Sequence, residues 1–334
     1  MSKPYALLRA GFPFYATLGM RRVTTMPMDL AISKDQTIYV LNRTDFMSEI
    51  RKINWKDEDL GTIPEGGKNL EWPVQILIDE LDHIYISDEA KNKIIILDTS
   101  GKELDSWGEF GSTEGKINHP SGICFDKDNN IFIVDTYNHR ISKFTKSGTF
   151  INSFGEYGSR KGQLNYPWGI DIDHNTGDLL VSDWGNDRIQ KFDYKGNFIN
   201  DFELNNELVG KLDGPAGIAV DSHSDIFVAD RGNHRIIQFN HKGNYVERFI
   251  GDAVLSKIGR TYLMANARAL RAREMTPLEE TKRFRGPTSV RIYGDLMYIP
   301  DLGSHRIQVY KKEAYELDET NILPDTDIPF LYNV

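Results

Sequence analysis

Cysteine is nearly absent from this sequence: Cys124 is the only one among 334 residues. One thiol excludes an internal disulfide bond and a zinc site built from thiolates, and its place in the apolar run Ile123–Phe125 is typical of a buried side chain. Long hydrophobic runs are also missing, so no segment has the apolar length of a membrane-spanning helix. Lys3, Arg9 and Pro13 interrupt the first residues, which make a poor secretory signal. We therefore expect a cytoplasmic protein with no membrane partner.

Basic residues are also not in excess. The 40 Lys and Arg side chains are outnumbered by 49 Asp and Glu, for a formal charge of −9. That balance argues against a protein that binds polyanions over its whole surface, and it disfavours nucleic acid as a partner. The sequence contains no Walker loop and no HExxH, GxSxG or GxGxxG fingerprint. We therefore expect neither a cofactor nor a metal ion.

What the sequence does contain is an internal repeat marked by proline. Six units start near residues 27, 73, 120, 167, 215 and 287, at intervals of 46, 47, 47, 48 and 72 residues. The last interval exceeds the common period by about 25 residues, which indicates an insertion at residues 251–285. The repeat predicts one domain made of six similar units.

Each unit predicts four short strands. In the third unit, an apolar strand ends at Asp126, a β-branched run covers Ile131 to Asp135, a third strand opens with Arg140, and the turn Ser147-Gly148 starts the fourth. Four strands joined by turn residues form one antiparallel blade, and six blades predict an all-β, six-bladed β-propeller.

Ring closure is also predictable, because the sixth unit has only three clear strands. Residues 12–19 resemble a fourth strand, so we predict that this N-terminal segment completes the last blade. Residues 311–334 are expected to form a C-terminal tail, whose acidic part could dock on a partner or strap the molecule.

The segments Asp135–Ile141 and Asp230–Ile236 carry the Asp-x-x-Asn-x-Arg pattern of a known repeat family. They resemble NHL repeats, and the resemblance covers essentially the whole chain, with the first unit degenerate. An Asp and an Arg that recur in every blade are expected to cap the turn and bridge strands, since every blade must fold.

Function is expected where the blades differ, around the mouth of the central channel. Arg43 and Arg231 each follow the repeat Asp, or Asn42 in its place, and we expect them to hold an anion. His119 precedes a repeat proline and would be an acid or base. The expected walls are aromatic: Trp72, Tyr166, Trp168 and Trp184. The alternative is that these rings only pack neighbouring blades together.

A second resemblance concerns the peptidyl-hydroxyglycine amidating lyases, which are six-bladed propellers with similar repeats. Arg43, Tyr137 and Arg231 occupy positions similar to the Tyr and Arg of those enzymes, which makes Tyr137 the second candidate acid or base. The positions of the three zinc histidines in that family, however, hold Val74, Ala216 and Thr288 here. Without imidazoles the zinc cannot bind there, so the same chemistry is not expected.

The insertion is expected to form a lid of two or three helical turns on the face of the mouth. Val254, Leu255, Ile258, Tyr262 and Leu263 have helical spacing, and Thr276–Glu279 reads as a helix start. A solvated basic helix face is the alternative.

Three functions remain open from the sequence. The first is binding, and if catalytic the lyase- or hydrolase-like conversion, of a small anionic ligand at the channel mouth. The second is a scaffold for a protein partner. The third, RNA binding, is disfavoured by the charge of −9.

Overall fold

Six four-stranded antiparallel sheets form the protein in a computed structural model, which describes residues 8–63, 70–204, 209–266, 268, 271, 273 and 277–316. The first three blades contain β3 Pro27–Ile32, β4 Ile38–Arg43, β5 Ser48–Ile53 and β6 Asp59–Thr62; β7 Pro73–Ile78, β8 Ile84–Asp88, β9 Lys93–Leu97 and β10 Glu103–Trp107; β11 Pro120–Phe125, β12 Asn130–Asp135, β13 Arg140–Thr145 and β14 Phe150–Phe154. The other three contain β15 Ile170–Ile172, β16 Leu179–Asp183, β17 Arg188–Phe192 and β18 Phe198–Phe202; β19 Pro215–Val220, β20 Ile226–Asp230, β21 Arg235–Phe239 and β22 Tyr245–Phe249; β23 Arg291–Tyr293, β24 Leu296–Asp301, β25 Arg306–Lys311 and β2 Phe14–Leu18. The predicted six-bladed β-propeller is confirmed.

The last blade is closed by the N-terminal strand, as predicted. Strand β2 pairs antiparallel with β25, with Leu18 opposite Ile307. A further pair, β1 Leu8–Gly11 with β26 Glu313–Glu316, joins the two chain ends. The first residues of the predicted tail thus form strands, and residues 317–334 lie outside the described residues.

The core lies between neighbouring blades. The second strand of a blade is buried along its length, as in β8 and β16, whereas the fourth strand is largely exposed, as in β10. One core cluster joins Phe132 and Val134 of the third blade to Ile170 and Leu179 of the fourth. Each such side chain contributes about 1.5–3 kcal/mol on burial, so packing between blades holds the ring together.

The repeated Asp and Arg are structural. Buried Asp135 accepts hydrogen bonds from the Asn118 backbone N–H at 2.7 Å and from Arg140 Nε at 2.8 Å. Arg140 in turn donates to the carbonyl oxygens of Ser112 and Lys116. Equivalent bonds recur at Asp183/Arg188, Asp230/Arg235 and Asp301/Arg306. The expectation that this pair caps the turn and bridges strands is confirmed.

A second contact recurs at four of the junctions between neighbouring blades. At these junctions the residue after the repeat Asn position has a positive φ, as His139 does at 55°, and its side chain accepts the N–H of the residue before the next proline. His139 Nδ1 accepts from the Tyr166 N–H at 3.1 Å, and His305 Nδ1 accepts from the Met26 N–H at 3.0 Å. Asn92 and Asp187 make the same bond with a side-chain oxygen. These histidines are therefore hydrogen-bond acceptors between blades.

The described part of the insertion includes the helices α1 Lys257–Met264 and α2 Leu278–Lys282. Ser256 caps α1, and Ile258 packs in the cluster between the sixth and first blades. Helix α2 begins after Pro277, while Thr276 of the expected helix start lies outside the described residues. Neither helix, within the described part of the chain, has the length and apolar character needed to cross a bilayer.

Candidate functional site

The candidate site lies on the face where strand two of each blade turns into strand three. Arg43 stands at the end of β4, and its guanidinium is largely buried, with 10% of the side chain exposed. It lies 4.6 Å over the Trp72 ring, and Nη1 donates to the Pro73 carbonyl oxygen at 3.2 Å. Burial lowers the pKa of Arg43 to about 10, so the group is still charged at neutral pH.

Arg231 is the second cation of the mouth. It follows Asp230, the last residue of β20, and is half-buried. Its charge contributes to lowering the pKa of Arg43, so the two guanidinium groups are within electrostatic reach of each other. Among the described residues, no acceptor, carboxylate or ring contacts the Arg231 guanidinium. Burial lowers its own pKa. The mouth thus holds a half-buried positive charge that the described part of the chain leaves unneutralised.

Glu89 is a residue of the mouth that sequence reasoning did not select. It follows Asp88 at the position that Arg43 and Arg231 occupy in their blades, which is the signal that could have found it. Its carboxylate lies 3.9 Å from Arg43 Nη1, too far for a hydrogen bond, and Oε2 is buried without a hydrogen-bond partner in the described residues. Burial raises the pKa of Glu89, although the charge of Arg43 opposes the rise. Glu89 therefore only partly compensates the two cations.

His119 and Tyr137 are brought together as a stacked pair. Their ring centroids lie 4.1 Å apart at an interplanar angle of 37°. His119 Nδ1 lies 2.6 Å from Asn118 Oδ1, and because an amide oxygen only accepts, Nδ1 carries the proton and Nε2 is left as an acceptor. Burial lowers the pKa of His119, which favours the neutral ring. The Nε2 atom of His119 is therefore unprotonated and can accept a proton, as a general base does.

Three further rings continue this pair across the third and fourth blades. Tyr166 lies 5.3 Å from Tyr137, His139 lies 4.6 Å from Tyr166, and Tyr157 lies 4.7 Å from His139. We call these five residues, His119, Tyr137, Tyr166, His139 and Tyr157, the aromatic row. Tyr137 is 48% exposed and Tyr157 is 68% exposed. The row is a surface feature and does not fill the core.

The three candidate tryptophans occupy different depths. Trp168 is half-buried and packs on the core cluster that contains Met28 and Leu41. Trp72 is 38% exposed and Trp184 is 44% exposed, so both stand at the rim. Trp184 lies beside Gly214, where a side chain would come within 2.7 Å of its Nε1. Trp168 is therefore committed to core packing, while the rings of Trp72 and Trp184 remain accessible.

The positions that would correspond to zinc histidines are buried and carry no imidazole. Val74 and Ala216 are apolar, and the Thr288 hydroxyl donates to the Met28 carbonyl oxygen at 2.7 Å. In the described residues no three His, Cys, Asp or Glu side chains are grouped to hold a metal ion.

Comparisons with known proteins agree with this architecture. A model of the NHL repeat matches residues 118–144, 164–192 and 212–239. No curated protein sequence matches the chain.

The chain is also similar to several solved structures. A catalytically inactive virginiamycin B lyase from Staphylococcus aureus, solved with quinupristin, has 16% identity and a TM-score of 0.56, over 94% of this chain and 90% of that one. A protein of unknown function from Bacteroides thetaiotaomicron has 16% identity and a TM-score of 0.63, over 92% and 76%. A nidogen/laminin complex has 17% identity and a TM-score of 0.52, over 72% and 93%. At these identities the similarity concerns the fold alone.

Proposed function

The chain carries NHL repeats in a six-bladed β-propeller, and we propose that it binds a small anionic molecule at the mouth of the channel, between Arg43 and Arg231. The fold itself accommodates either a ligand site or an interaction scaffold. The mouth favours the ligand site, because charge and aromatic surface are concentrated there.

The observation that carries this proposal is the unneutralised Arg231. A half-buried cation costs folding free energy unless an anion compensates it. Arg43, stacked on Trp72, adds a second charge of the same sign, and Glu89 with its raised pKa offsets only part of the sum. A carboxylate or phosphate between the guanidinium groups would accept charge-assisted hydrogen bonds from both.

The aromatic side of the mouth suggests what else the ligand carries. Trp72 and Tyr166 are each 38% exposed and offer flat apolar surface, and Trp72 lies directly against the Arg43 guanidinium. An anion that bears an aromatic ring therefore fits better than a bare ion. If the bound molecule is converted, His119 Nε2 is the base and Tyr137 is the acid, a pairing suited to a lyase- or hydrolase-like step. A propeller of the same fold is a lyase, virginiamycin B lyase.

The test is calorimetric titration with benzoate, inorganic phosphate and neutral benzyl alcohol. We expect the two anions to bind, benzoate more tightly, and benzyl alcohol not to bind. The double variant Arg43→Ala/Arg231→Ala should lose about tenfold or more in affinity, as expected when charge-assisted hydrogen bonds are removed.

Arg248→Ala is the matched control, because Arg248 is exposed on the outer strand of the blade that carries Arg231. It should leave affinity unchanged. Arg231→Ala should also leave stability equal or higher, since it removes a cation without a described partner. Equal affinity of the double variant and the wild type would contradict the proposal.

A protein partner is the second candidate, and the aromatic row favours it. Exposed rings that form a continuous surface are typical of interfaces, and Tyr157 lies at the far end of the row from His119. We expect Tyr157→Ala to abolish retention of such a partner on the immobilised protein, while Arg43→Ala/Arg231→Ala retains it. The opposite pattern would assign the retained molecule to the cationic mouth.

A further inference from the structure

A small cavity lies where the insertion packs against the sixth blade. Its volume is about 150 Å³, and its walls come from the end of β2 with the loop after it, from the insertion, and from the turn between β24 and β25. Three of the residues that line it are arginines, Arg21, Arg273 and Arg306, and none of the described lining residues is Asp or Glu. A lining with cations and no carboxylate is unexpected in a chain whose net charge is −9.

Arg306 is a structural wall of this cavity. Its Nε donates to Asp301 at 3.2 Å, and its Nη1 and Nη2 donate to the backbone carbonyl oxygens of Thr281 and Arg283. The repeat Arg makes bonds of the same kind in other blades, as Arg140 does. Arg306 is therefore neutralised by Asp301, and it joins the insertion to the blade.

Arg21 and Arg273 carry the unpaired charges of the cavity. Arg21 is exposed and Arg273 is half-buried, and within the described part of the chain neither guanidinium contacts a carboxylate, a carbonyl oxygen or a ring. Burial, and after it the charge of Arg21, lowers the pKa of His305, so the positive charge of Arg21 acts on its surroundings. The half-buried Ser304 hydroxyl also lines the cavity and has no hydrogen-bond partner among the described residues. Two cations and one hydroxyl thus lack a partner at the same place.

The described carboxylates of the insertion do not compensate these charges. Asp252 lies 3.7 Å from Arg283 Nη1, and Glu279 lies 2.7 Å from Lys282 Nζ. Glu280 is exposed and does not line the cavity. The part of the insertion that the structure describes therefore supplies no counter-ion to the cavity.

The fourth blade has a carboxylate where the sixth blade has a hydroxyl. In the fourth blade Asp201 lies 3.8 Å from Nη1 of the repeat Arg, Arg188, and it stands opposite Gln190 in the sheet. In the sixth blade the residue opposite the corresponding Gln308 is Thr17, which lines the cavity. Thr17 thus marks the position at which this chain could place an internal anion and does not.

The walls of the cavity are joined to one another by hydrogen bonds. Thr17 Oγ1 accepts the Val254 N–H at 3.1 Å, and Ser256 Oγ donates to the Gly19 carbonyl oxygen at 2.7 Å. Ser256 Oγ also accepts the Gly259 N–H at 3.0 Å, so the chain itself caps the start of α1. The groups available to a ligand are therefore the arginines and the Ser304 hydroxyl.

We propose that this cavity binds a phosphoryl group, either inorganic phosphate or the phosphate of a monoester. Its volume of about 150 Å³ is several times the share of one water molecule, about 30 Å³, and lies below the roughly 300 Å³ at which sites for whole organic ligands begin. A tetrahedral oxyanion fits that space. Arg21 and Arg273 neutralise its charge, and the Ser304 hydroxyl donates to a further oxygen. The cavity shares none of its lining residues with Arg43, Arg231 and the aromatic row, so this site stands or fails independently of the function proposed for the mouth.

The test is calorimetric titration of the Arg43→Ala/Arg231→Ala protein, which lacks the cations of the mouth, with inorganic phosphate, phenyl phosphate and benzoate. We expect both phosphates to bind and benzoate not to bind, because a phosphate carries a charge of about −1.5 to −2 at pH 7 and more acceptor oxygens than a carboxylate. Tighter binding of phenyl phosphate assigns a monoester whose organic part packs on Val254, which is 53% exposed. Equal or weaker binding of phenyl phosphate assigns the free ion. If the background variant does not fold, the wild type is titrated with benzoate saturating the mouth.

Two sets of variants assign the binding to this cavity. Arg21→Ala/Arg273→Ala should weaken inorganic phosphate about tenfold or more, since charge-assisted hydrogen bonds are lost. Arg260→Ala, exposed on α1 and outside the lining, is the matched control and should leave affinity unchanged. Thr17→Asp places a carboxylate at the position of Asp201 and should abolish binding while the melting temperature is kept.

No heat with either phosphate would overturn the proposal. Phosphate binding that survives the loss of both arginines, or that survives Thr17→Asp, would overturn it too. So would benzoate that binds as tightly as inorganic phosphate in the protein without the mouth cations.

Discussion

At the scale of single residues, the histidines after the repeat Asn hold neighbouring blades together and also make the stability of the fold depend on pH. His139 and His305 each accept a backbone N–H at Nδ1, which requires an unprotonated nitrogen. Burial lowers the pKa of both, although Asp183 and Asp301 oppose the shift and Arg21 adds to it at His305. In the unfolded chain these rings bind protons at higher pH than in the folded one. Their contribution to stability is therefore present above the ordinary histidine pKa and is lost as pH falls through the lowered values.

We expect the free energy of unfolding to fall between about pH 7.5 and about pH 5, and His139→Asn/His305→Asn to reduce that fall by roughly 1 kcal/mol per site. Asn92 makes the same contact in the second blade with an oxygen that does not titrate, so the variant keeps the bond. Urea denaturation across this pH range measures the effect. His174→Asn, at an exposed position, is the control, and an identical pH dependence in the double variant would refute the account.

At the scale of elements, one carboxylate attaches helix α1 to the ring. Asp57 Oδ1 accepts the Gly19 N–H and Oδ2 accepts the Ile258 N–H, at 2.6 and 2.7 Å. It thus joins the end of the closing strand, the first turn of α1 and the first blade. Asp57 has φ of 54°, and the corresponding turn positions in other blades hold glycine, such as Gly148.

Asp57→Gly keeps this backbone conformation and removes both bonds, so we expect a loss of about 2–3 kcal/mol in the free energy of unfolding. Hydrogen exchange at residues 257–264 should rise more than exchange in β8 or β16. Asp45→Gly, at an exposed site, should change neither quantity. Unchanged exchange in α1 would show that apolar packing of Ile258 alone holds the helix.

At the scale of the whole molecule, closure of the ring depends on a strand from the other end of the chain. Leu18 of β2 is 2% exposed and packs between the sixth and first blades. Leu18→Ala should cost about 2–5 kcal/mol because it leaves a cavity at the closing junction. Leu104→Ala, in the outer strand of the second blade and 45% exposed, should change stability by no more than about 0.5 kcal/mol.

Thermal unfolding of both variants measures the difference. If the ring is one cooperative unit, Leu18→Ala shifts a single transition to lower temperature, whereas a separate early transition would show that the sixth blade unfolds alone.

The sequence by itself determined the blade number, the order of strands and the closing segment. Each blade of about 47 residues repeats the same sequence pattern, from the proline to the Asp-x-x-Asn-x-Arg turn. These turn and strand preferences are local, so they can be recognised without knowing the tertiary contacts. It also predicts Arg43, Tyr137, His119 and Arg231 around one mouth, because the repeat maps each position to one end of a strand.

Only the tertiary structure decided which of these side chains have hydrogen-bond or charge partners and how deeply each is buried. Three examples depend on neighbours in other blades: the Arg231 guanidinium, which has no partner among the described residues, the buried oxygen of Glu89, and the burial of Trp168. Burial and pairing depend on side chains from different blades that meet only when the ring closes. The repeat pattern along the chain therefore does not predict them.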